Sequence, residues 1–556
     1  MPAHPVDPGQ TGDRSSQRSV DVRRFPWIRK LAADYAYRFD AVAPFFSGDP
    51  SRKDAWAHAV SRAQAQPRDR TRIAAIVEAQ QRRRGAPAPA IDCARRLAEP
   101  DTVAIVTGQQ AGLFGGPLFT LLKALTAMKL AEQVTREQHA PAIAVFWVEA
   151  EDHDWNEVRS CTVLDEALAP RRVSLPESTA DATPVSRVSL DGSIALALDE
   201  LERVLAPTEF TAALLADLRS VYAPGVGMAD AFAIWLERVL GDRGLVVYDA
   251  SDPAAKALAG PVFARELSSP GETTRLAVRA GSSLVDLGYH SQVQGTTPDQ
   301  EGAALFRMDG ARRPIRHQNE RFTAGDDTYA PADLVREATE HPERFSPNVL
   351  LRPIVQDTLF PAVCYVAGPN ELAYLGQLRG VYERFGLPMP LMYPRTTATL
   401  LDAPAIRFLH RYGVALEALQ PQNEAALNEL LTAQLPPSVD ASFAQAAHAI
   451  ESSMTRVVEE LPAIDPTLEG AGKSTIGRMQ HDLQTLHNKM IQAAKRRDDT
   501  LRRQYIRTRA LAFPDGHPQE RAVAFVSFLN QYGPALVDRL YDAVPLDLGQ
   551  HWIVSI

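Results

Sequence analysis

The sequence predicts an α/β protein built on a parallel, doubly wound sheet. Two observations carry that reading. Val103–Val106, Ile143–Val148 and Leu245–Asp249 are short apolar runs rich in β-branched residues, as strands buried on both faces require. Helical spacing lies between them, with Leu118, Leu121, Leu122, Leu125 and Met128 behind the first run and Met228 to Leu240 ahead of the third. Strands alternating with helices pair in parallel by crossovers, and such sheets bind their ligands beyond the carboxyl ends of the strands.

Length and composition bound the rest. A chain of 556 residues is too long for one core and calls for about three domains or one domain with large insertions. Hydrophobic residues make up 45% and charged residues 23%, as in ordinary globular proteins. The net charge of −9 gives no basic footprint and argues against a general nucleic-acid binder. Cys93, Cys161 and Cys364 are far apart and form no CxxC pair, which fits a reducing compartment without structural zinc. No apolar run approaches the ~18 residues of a membrane helix, so a cytoplasmic protein without a membrane partner is expected.

In chain order, residues 1–20 read as a disordered tail and 21–100 as an Ala-rich helical region without evident chemistry. Residues 101–269 form the first part of the α/β core. Short alternating segments and Asp309-Gly310, a type I′ turn signal, mark 270–345 as a mainly β insertion. The core resumes over 346–400, with a strand at Ala362–Val366, a helix from about Asn370 to Phe385 and a last strand at Leu391–Tyr393. Residues 401–556 are expected to be helical, with a coiled coil over about 450–510. Ile476, Met479, Leu483, Leu486, Met490 and Ala493 alternate spacings of three and four, which serves an internal hairpin or a dimer contact equally.

Three stretches at strand ends carry candidate chemistry. The first is the glycine-dense turn Thr107-Gly108-Gln109-Gln110-Ala111-Gly112-Leu113-Phe114-Gly115-Gly116, followed by Pro117 at a helix start. A strand, a glycine loop and a helix N-terminus together make an anion site. The turn matches neither G-x-G-x-x-G nor the P-loop, and a plain strand-to-helix turn accounts for its glycines as well. The second stretch, Glu149 to Glu157, packs five acids and His153 into nine residues at the end of the second strand. Such a cluster suits a polar ligand or proton chemistry, although a solvated acidic loop reads the same way. It matches no metal motif, and no metal is assigned. The third runs from Ser346 through Arg352, Gln356 and Asp357 to Gly368-Pro369-Asn370-Glu371, then Tyr374 and Gln377, whose spacing puts the last three acid or polar residues on one helical face. Arg352 and Arg395 are cations able to pair with a carboxylate or phosphate. Gly470-Ala471-Gly472-Lys473-Ser474-Thr475 imitates the end of a P-loop, but Thr467 stands where its first glycine belongs.

Taken together, TGQQAGLFGGPLFTLLKA, EDHDWNE, GYHSQV (Gly288–Val293), SPNVLLRPIVQD, YVAGPNELAYLGQL and the closing YPR resemble the BshC family, the cysteine ligases proposed for bacillithiol biosynthesis. The resemblance spans most of the chain. It implies a Rossmann-like core interrupted by connecting-peptide insertions, and a C-terminal coiled-coil domain that forms a homodimer. The implied reaction joins the cysteine carboxylate to the amine of glucosaminyl malate. By analogy with class I adenylating enzymes, ATP would activate cysteine as an acyl-adenylate. On that reading Asp152, His153 and Asp154 orient the amine or take its proton, and Arg352 or Arg395 balances carboxylate charge. The Thr107–Gly116 turn (Thr107, Gly108, Gln109, Gln110, Gly112, Gly116) holds phosphate or carboxylate, with Lys123 a turn and a half into the helix as a weaker candidate. Gln356, Asp357, Gly368, Glu371, Tyr374 and Gln377 complete the implied binding set. The competing classes are a non-catalytic nucleotide- or thiol-binding dimer that assists another ligase, and a metal-dependent hydrolase built on the acidic cluster.

Overall fold

The computed structural model describes residues 19–177, 183–293, 302–433, 437–497 and 499–556. All but the last two residues of the expected tail lie outside them. The chain divides into two units, one made of Met1–Leu400 and Gln519–Val554 and the other of Leu401–Pro518.

The first unit is organised by five strands, β1 (Val103–Gln110), β2 (Ala142–Glu149), β3 (Val246–Asp249), β4 (Ala362–Ala367) and β5 (Leu391–Pro394). Every pairing is parallel and the order is β5-β4-β1-β2-β3. The chain therefore winds outward from β1 to β3 and returns on the other side of β1 as β4. That reversal leaves a crevice between the carboxyl ends of β1 and β4. The strands are almost wholly buried, which explains their unbroken apolar runs. Helix α1 (Leu118–Gln138) makes the β1–β2 crossover. Helices Lys53–Ala65 and Arg70–Arg84 pack against the sheet. Arg84 ties the Arg70–Arg84 helix down, donating to Glu237 (2.6 Å) and to Val247 O (2.7 Å) with both charged side chains 2% exposed.

Strand β1 runs four residues past its expected end, so Thr107 to Gln110 are strand and not turn. Its register with β2 continues to Gln110↔Glu149. Gly108 permits this, because an added Cβ would lie 2.7 Å from Trp147 O on the neighbouring strand. The turn proper is Ala111 to Gly116, where Gly116 adopts φ +76°.

The insertion is less purely β than expected. It opens with the helix Glu272–Asp286, and the helix Pro331–Glu340 precedes its last strand. Between them strands Gly302–Asp309, Ala311–Gln318, Arg321–Ala324 and Asp327–Tyr329, with Phe345–Pro347, form an antiparallel sheet. Asp309 pairs with Ala311, so the hairpin turns on Gly310 alone (φ +82°) and not on a two-residue Asp-Gly turn. The expected helix from Asn370 to Phe385 is two short helices, α3 (Leu372–Leu375) and α4 (Arg379–Phe385).

Unit two carries a hairpin of helices Pro437–Glu460 and Leu468–Arg497, turning through Leu461–Ala463. Gly472 abuts Val458 and Leu461 there, so the GAGKST stretch is helix and not a phosphate loop. Along the expected seam, Met479 and Leu486 remain 39% and 52% exposed. Among the described residues no helix is long and apolar enough to cross a membrane.

Candidate active site

The carboxyl ends of β1, β2 and β4 bring most of the expected residues together. Lys123 lies within α1, yet helical side chains lean toward the helix N-terminus and carry its ammonium back to the strand end. There it donates to Gly108 O (2.9 Å), Gln109 Oε1 (3.2 Å) and Glu371 Oε1 (2.6 Å). Lys123 is 1% exposed, so this ion pair clamps β1 to the turn after β4, across the crevice. Burial lowers the Lys123 pKa and Glu371 opposes that shift only in part. Burial alone would raise Glu371, but the Lys123 ammonium, the Gly368 backbone and Arg352 together hold the carboxyl below its ordinary value.

On the other side of β1, Gln110 donates from Nε2 to Asp152 Oδ2 (2.5 Å). Asp152 also receives Arg312 Nη1 at 3.2 Å and its neighbour's amide, His153 N, at 2.8 Å. Arg312 comes from the inserted sheet. Its side chain is 8% exposed, donates to Pro347 O (2.9 Å), and lies 3.9 Å over the Phe306 ring. The His153 imidazole stands at the rim, 39% exposed, with Nδ1 3.5 Å from Asp152 Oδ1 and 3.4 Å from Arg312 Nη1.

Between these two groups lies Arg352, the first residue of helix α2 (Arg352–Leu359). It sits 3.7 Å from Glu149, donates to Gln356 Oε1 (3.0 Å), and lies over the Trp147 and Tyr365 rings. Burial raises the Glu149 pKa, against the pull of Arg352. Tyr374 borders the same guanidinium.

Other expected residues serve the scaffold. Thr107 is fully buried and donates to Val366 O (3.0 Å), stitching β1 to β4. Asp154 caps the short helix Trp155–Val158 through Glu157 N (3.2 Å). Glu151, another acid of that cluster, is neutralised by buried Lys256. Gln356 passes its amide to Asp357 (2.9 Å), which also takes the Tyr382 hydroxyl (2.5 Å). Burial raises Asp357 to about 6. Gln377 does not share a face with Glu371 and Tyr374, because α3 ends before it. Fully buried, it accepts the amides of Gln292 and Val293 and donates to Ala277 O. The Arg395 guanidinium is taken up by a bidentate pair with Glu520 (2.7 and 2.9 Å) in which the side chains are 2% and 3% exposed.

The expected anion site at the start of α1 is closed. Leu118 N donates to Val523 O (2.8 Å) and Phe525 N to Gly116 O (3.1 Å), so a returning C-terminal segment covers Gly115 and Gly116. Gly368 begins the turn after β4, and its carbonyl accepts Glu371 N (2.9 Å). Among the described residues no cluster of three or more His, Cys, Asp or Glu could hold a metal ion. Arg312 is the residue that sequence reasoning missed; two arginines after a turn were its only signal.

Comparison with known proteins matches the two-part fold. The profile "Bacillithiol biosynthesis BshC, N-terminal Rossmann-like domain" matches residues 18–396, and its C-terminal coiled-coil counterpart matches 398–556. Residues 519–554 of the latter nevertheless pack with the Rossmann-like unit. A Salinibacter ruber protein named "Putative cysteine ligase BshC" is 34% identical over 530 residues, covering 95% of this chain and 96% of that protein. Proteins of the same name from Koribacter versatilis and Bacillus licheniformis are 33% and 29% identical, covering 94% and 83% of this chain and 97% and 86% of their own. A Campylobacter jejuni crystal structure called a "putative arginyl t-RNA synthetase" aligns over 82% of this chain and 99% of that one, at 9% identity and a TM-score of 0.24, too slight a likeness to bear on function. With both family domains matched end to end, the chain belongs to the BshC family of bacillithiol biosynthesis.

Proposed function

We propose that the protein is a ligase that joins the carboxylate of cysteine to the amine of glucosaminyl malate, the last step of bacillithiol assembly. The names of its relatives support the cysteine ligase. The observation that carries the reading is the convergence of Gln110, Asp152, Arg312 and His153 beside the Lys123–Glu371 clamp, at the crevice where such sheets bind ligands. Amide formation from a free carboxylate is uphill in water, so ATP is proposed as the activating co-substrate. The Gly112–Gly116 turn does not fit its phosphates, since the helix amide behind it is already bonded, and no phosphate contact is assigned there.

On this reading the half-exposed His153 imidazole takes the proton of the attacking amine. Asp152 receives the protonated amine or orients the imidazole, fixed in place by Gln110 and Arg312. Arg352, already facing Glu149, balances the carboxylate. Dimerisation through the seam face that bears Met479 and Leu486 is part of the same proposal.

The test is direct. Purified protein with cysteine, glucosaminyl malate and ATP, under reducing conditions, is expected to form a thiol product with the mass of cysteine plus glucosaminyl malate less one water, detected by mass spectrometry. No product, with upstream enzymes active in the same mixture, would sink the ligase assignment.

A further inference from the structure

Two opposite charges face each other in the crevice without bonding to each other. The Arg352 guanidinium and the Glu149 carboxylate approach to 3.7 Å (Nε to Oε2), beyond hydrogen-bond reach, with side chains 11% and 21% exposed. Each is held from behind by neutral partners. Arg352 donates from Nη1 to Gln356 Oε1 (3.0 Å) and from Nη2 to the Tyr365 hydroxyl (3.4 Å). Glu149 accepts the Trp147 indole N–H on Oε2 (3.2 Å), and its Oε1 takes no hydrogen bond among the described residues.

The acids around it are already matched. Glu371 receives the Lys123 ammonium (2.6 Å), Asp152 receives Gln110 and Arg312, and Glu151 is paired with Lys256 (2.5 Å). Of these acids only Glu149 has no cation in hydrogen-bond contact. Burial raises its pKa and Arg352 opposes that shift only in part, so a cation brought to Oε1 would relieve a charge that the fold leaves under-matched. The Trp147 and Tyr365 rings lie 5.8 and 5.4 Å from the guanidinium carbon. Against such apolar walls a charge-assisted contact counts for more than in water.

A fixed cation beside a fixed anion is the complement of a zwitterion. The ammonium and carboxylate of an α-amino acid hang on one carbon, so both can meet this pair at once, the carboxylate along the guanidinium and the ammonium on Glu149 Oε1. We propose that Arg352 and Glu149 together recognise the zwitterionic head of the amino-acid substrate, with Glu149 selecting an α-amino acid over a simple acid. That the amino acid is cysteine rests on the ligase reading; what is added is the group that senses its ammonium. The reaction brings two amines together, and either could attack when neutral. Bonded to Glu149, the cysteine amine stays protonated and has no lone pair to offer. The acceptor amine beside Asp152 and His153 is then the one that forms the amide.

The experiment titrates the full chain, with a reductant present, against L-cysteine, β-mercaptopropionate (which lacks the ammonium) and cysteamine (which lacks the carboxylate). Ligand-observed NMR follows binding, without nucleotide and again with a non-hydrolysable ATP analogue. Wild type is expected to bind L-cysteine at least about tenfold more tightly than either analogue, as loss of one charge-assisted contact implies. Glu149→Gln keeps an acceptor for the Trp147 indole. It should weaken L-cysteine at least about tenfold and leave β-mercaptopropionate within about twofold, so that the discrimination disappears. Glu149→Asp, which withdraws the carboxylate by one methylene, gives the same contrast if Glu149→Gln does not fold. A merely structural role would weaken L-cysteine and β-mercaptopropionate alike, and that result overturns the proposal. So does wild type that binds either analogue as well as L-cysteine, or that binds none of the three. Product formation is followed in parallel, with the KM for cysteine expected to rise in Glu149→Gln. Discrimination that depends on Glu149, with no ligation by wild type, leaves the recognition standing and removes the ligase reading. Ligation with an unchanged KM for cysteine in Glu149→Gln does the reverse.

Discussion

Neutralising Glu371 probes the clamp between β1 and the turn after β4. In Glu371→Gln the amide oxygen still accepts from Lys123, but the ammonium keeps its charge in a position 1% exposed, with only Gly108 O and Gln109 Oε1 otherwise in reach. Breaking a buried pair on one side costs about 3–5 kcal/mol. The surviving hydrogen bond and the 29% exposure of the Glu371 side chain put the expectation at about 2–3 kcal/mol. The pH dependence has a definite sign. Burial already lowers Lys123, and losing Glu371 removes the group that opposes this shift. The variant's folded pKa then falls further below the unfolded value of about 10.4. Its unfolded state binds more protons between the two, so its stability relative to wild type rises with pH toward that value. Urea unfolding followed by tryptophan fluorescence at pH 7 and pH 9.5 measures both effects, because all six tryptophans belong to the Rossmann-like unit. The apolar double variant Lys123→Met/Glu371→Leu leaves no unpaired charge and should be less destabilised than Lys123→Met alone. A loss under about 1 kcal/mol in Glu371→Gln, or a gap to wild type that does not narrow at high pH, would refute the clamp's energetics.

Asp154 and Asp152 separate by role. Asp154→Ala removes a helix cap and should cost about 1 kcal/mol of stability while leaving product formation within about twofold. Asp152→Ala should lower product formation by about 10²–10⁴-fold, the range of acid–base assistance. Equal losses of activity in the two variants would undo the distinction. Asp357 gives a second pH signature. Its folded pKa, raised to about 6 chiefly by burial, lies above the unfolded value of about 3.9. The stability it contributes is fully present below pH 4 and is lost as pH rises through 6. In Asp357→Asn that loss should vanish, so the gap between variant and wild type should shift in the variant's favour from pH 4 to pH 7 in urea melts. A constant gap would mean that Asp357 titrates alike in the folded and unfolded chain.

How much of this was legible in the sequence depends on the range of the interactions involved. The five-strand core was readable because burial on both faces writes itself into local composition, and β2 and the helix Met228–Leu240 fall where the apolar runs put them. The end of β1 was not, because Thr107 to Gln110 look like turn residues and become strand only through the neighbouring register with β2. Arg395 illustrates the opposite error. A cation at a strand end suits a ligand, but its partner Glu520 lies 125 residues away in a segment with no local sign that it returns to the core. The same return closes the start of α1 through Val523 and Phe525. Sequence distance hid the occupant of what looked like an open anion site.

The same limit concealed the residue that changes the view of the site most. Asp152 and His153 were visible as members of an acidic cluster, yet the cluster is not one chemical unit. Glu151 is tied to Lys256, Asp154 caps a helix, and Glu149 turns to Arg352. What separates Asp152 from its neighbours is Arg312, 160 residues later, delivered by the inserted sheet. Because Arg312 bonds Asp152, Ser346 Oγ and Pro347 O together, the insertion positions the carboxylate that Gln110 holds from the core side. In the proposed ligase the inserted sheet is therefore part of the site: the Rossmann-like core supplies the crevice and the insertion selects which of its acids points into it.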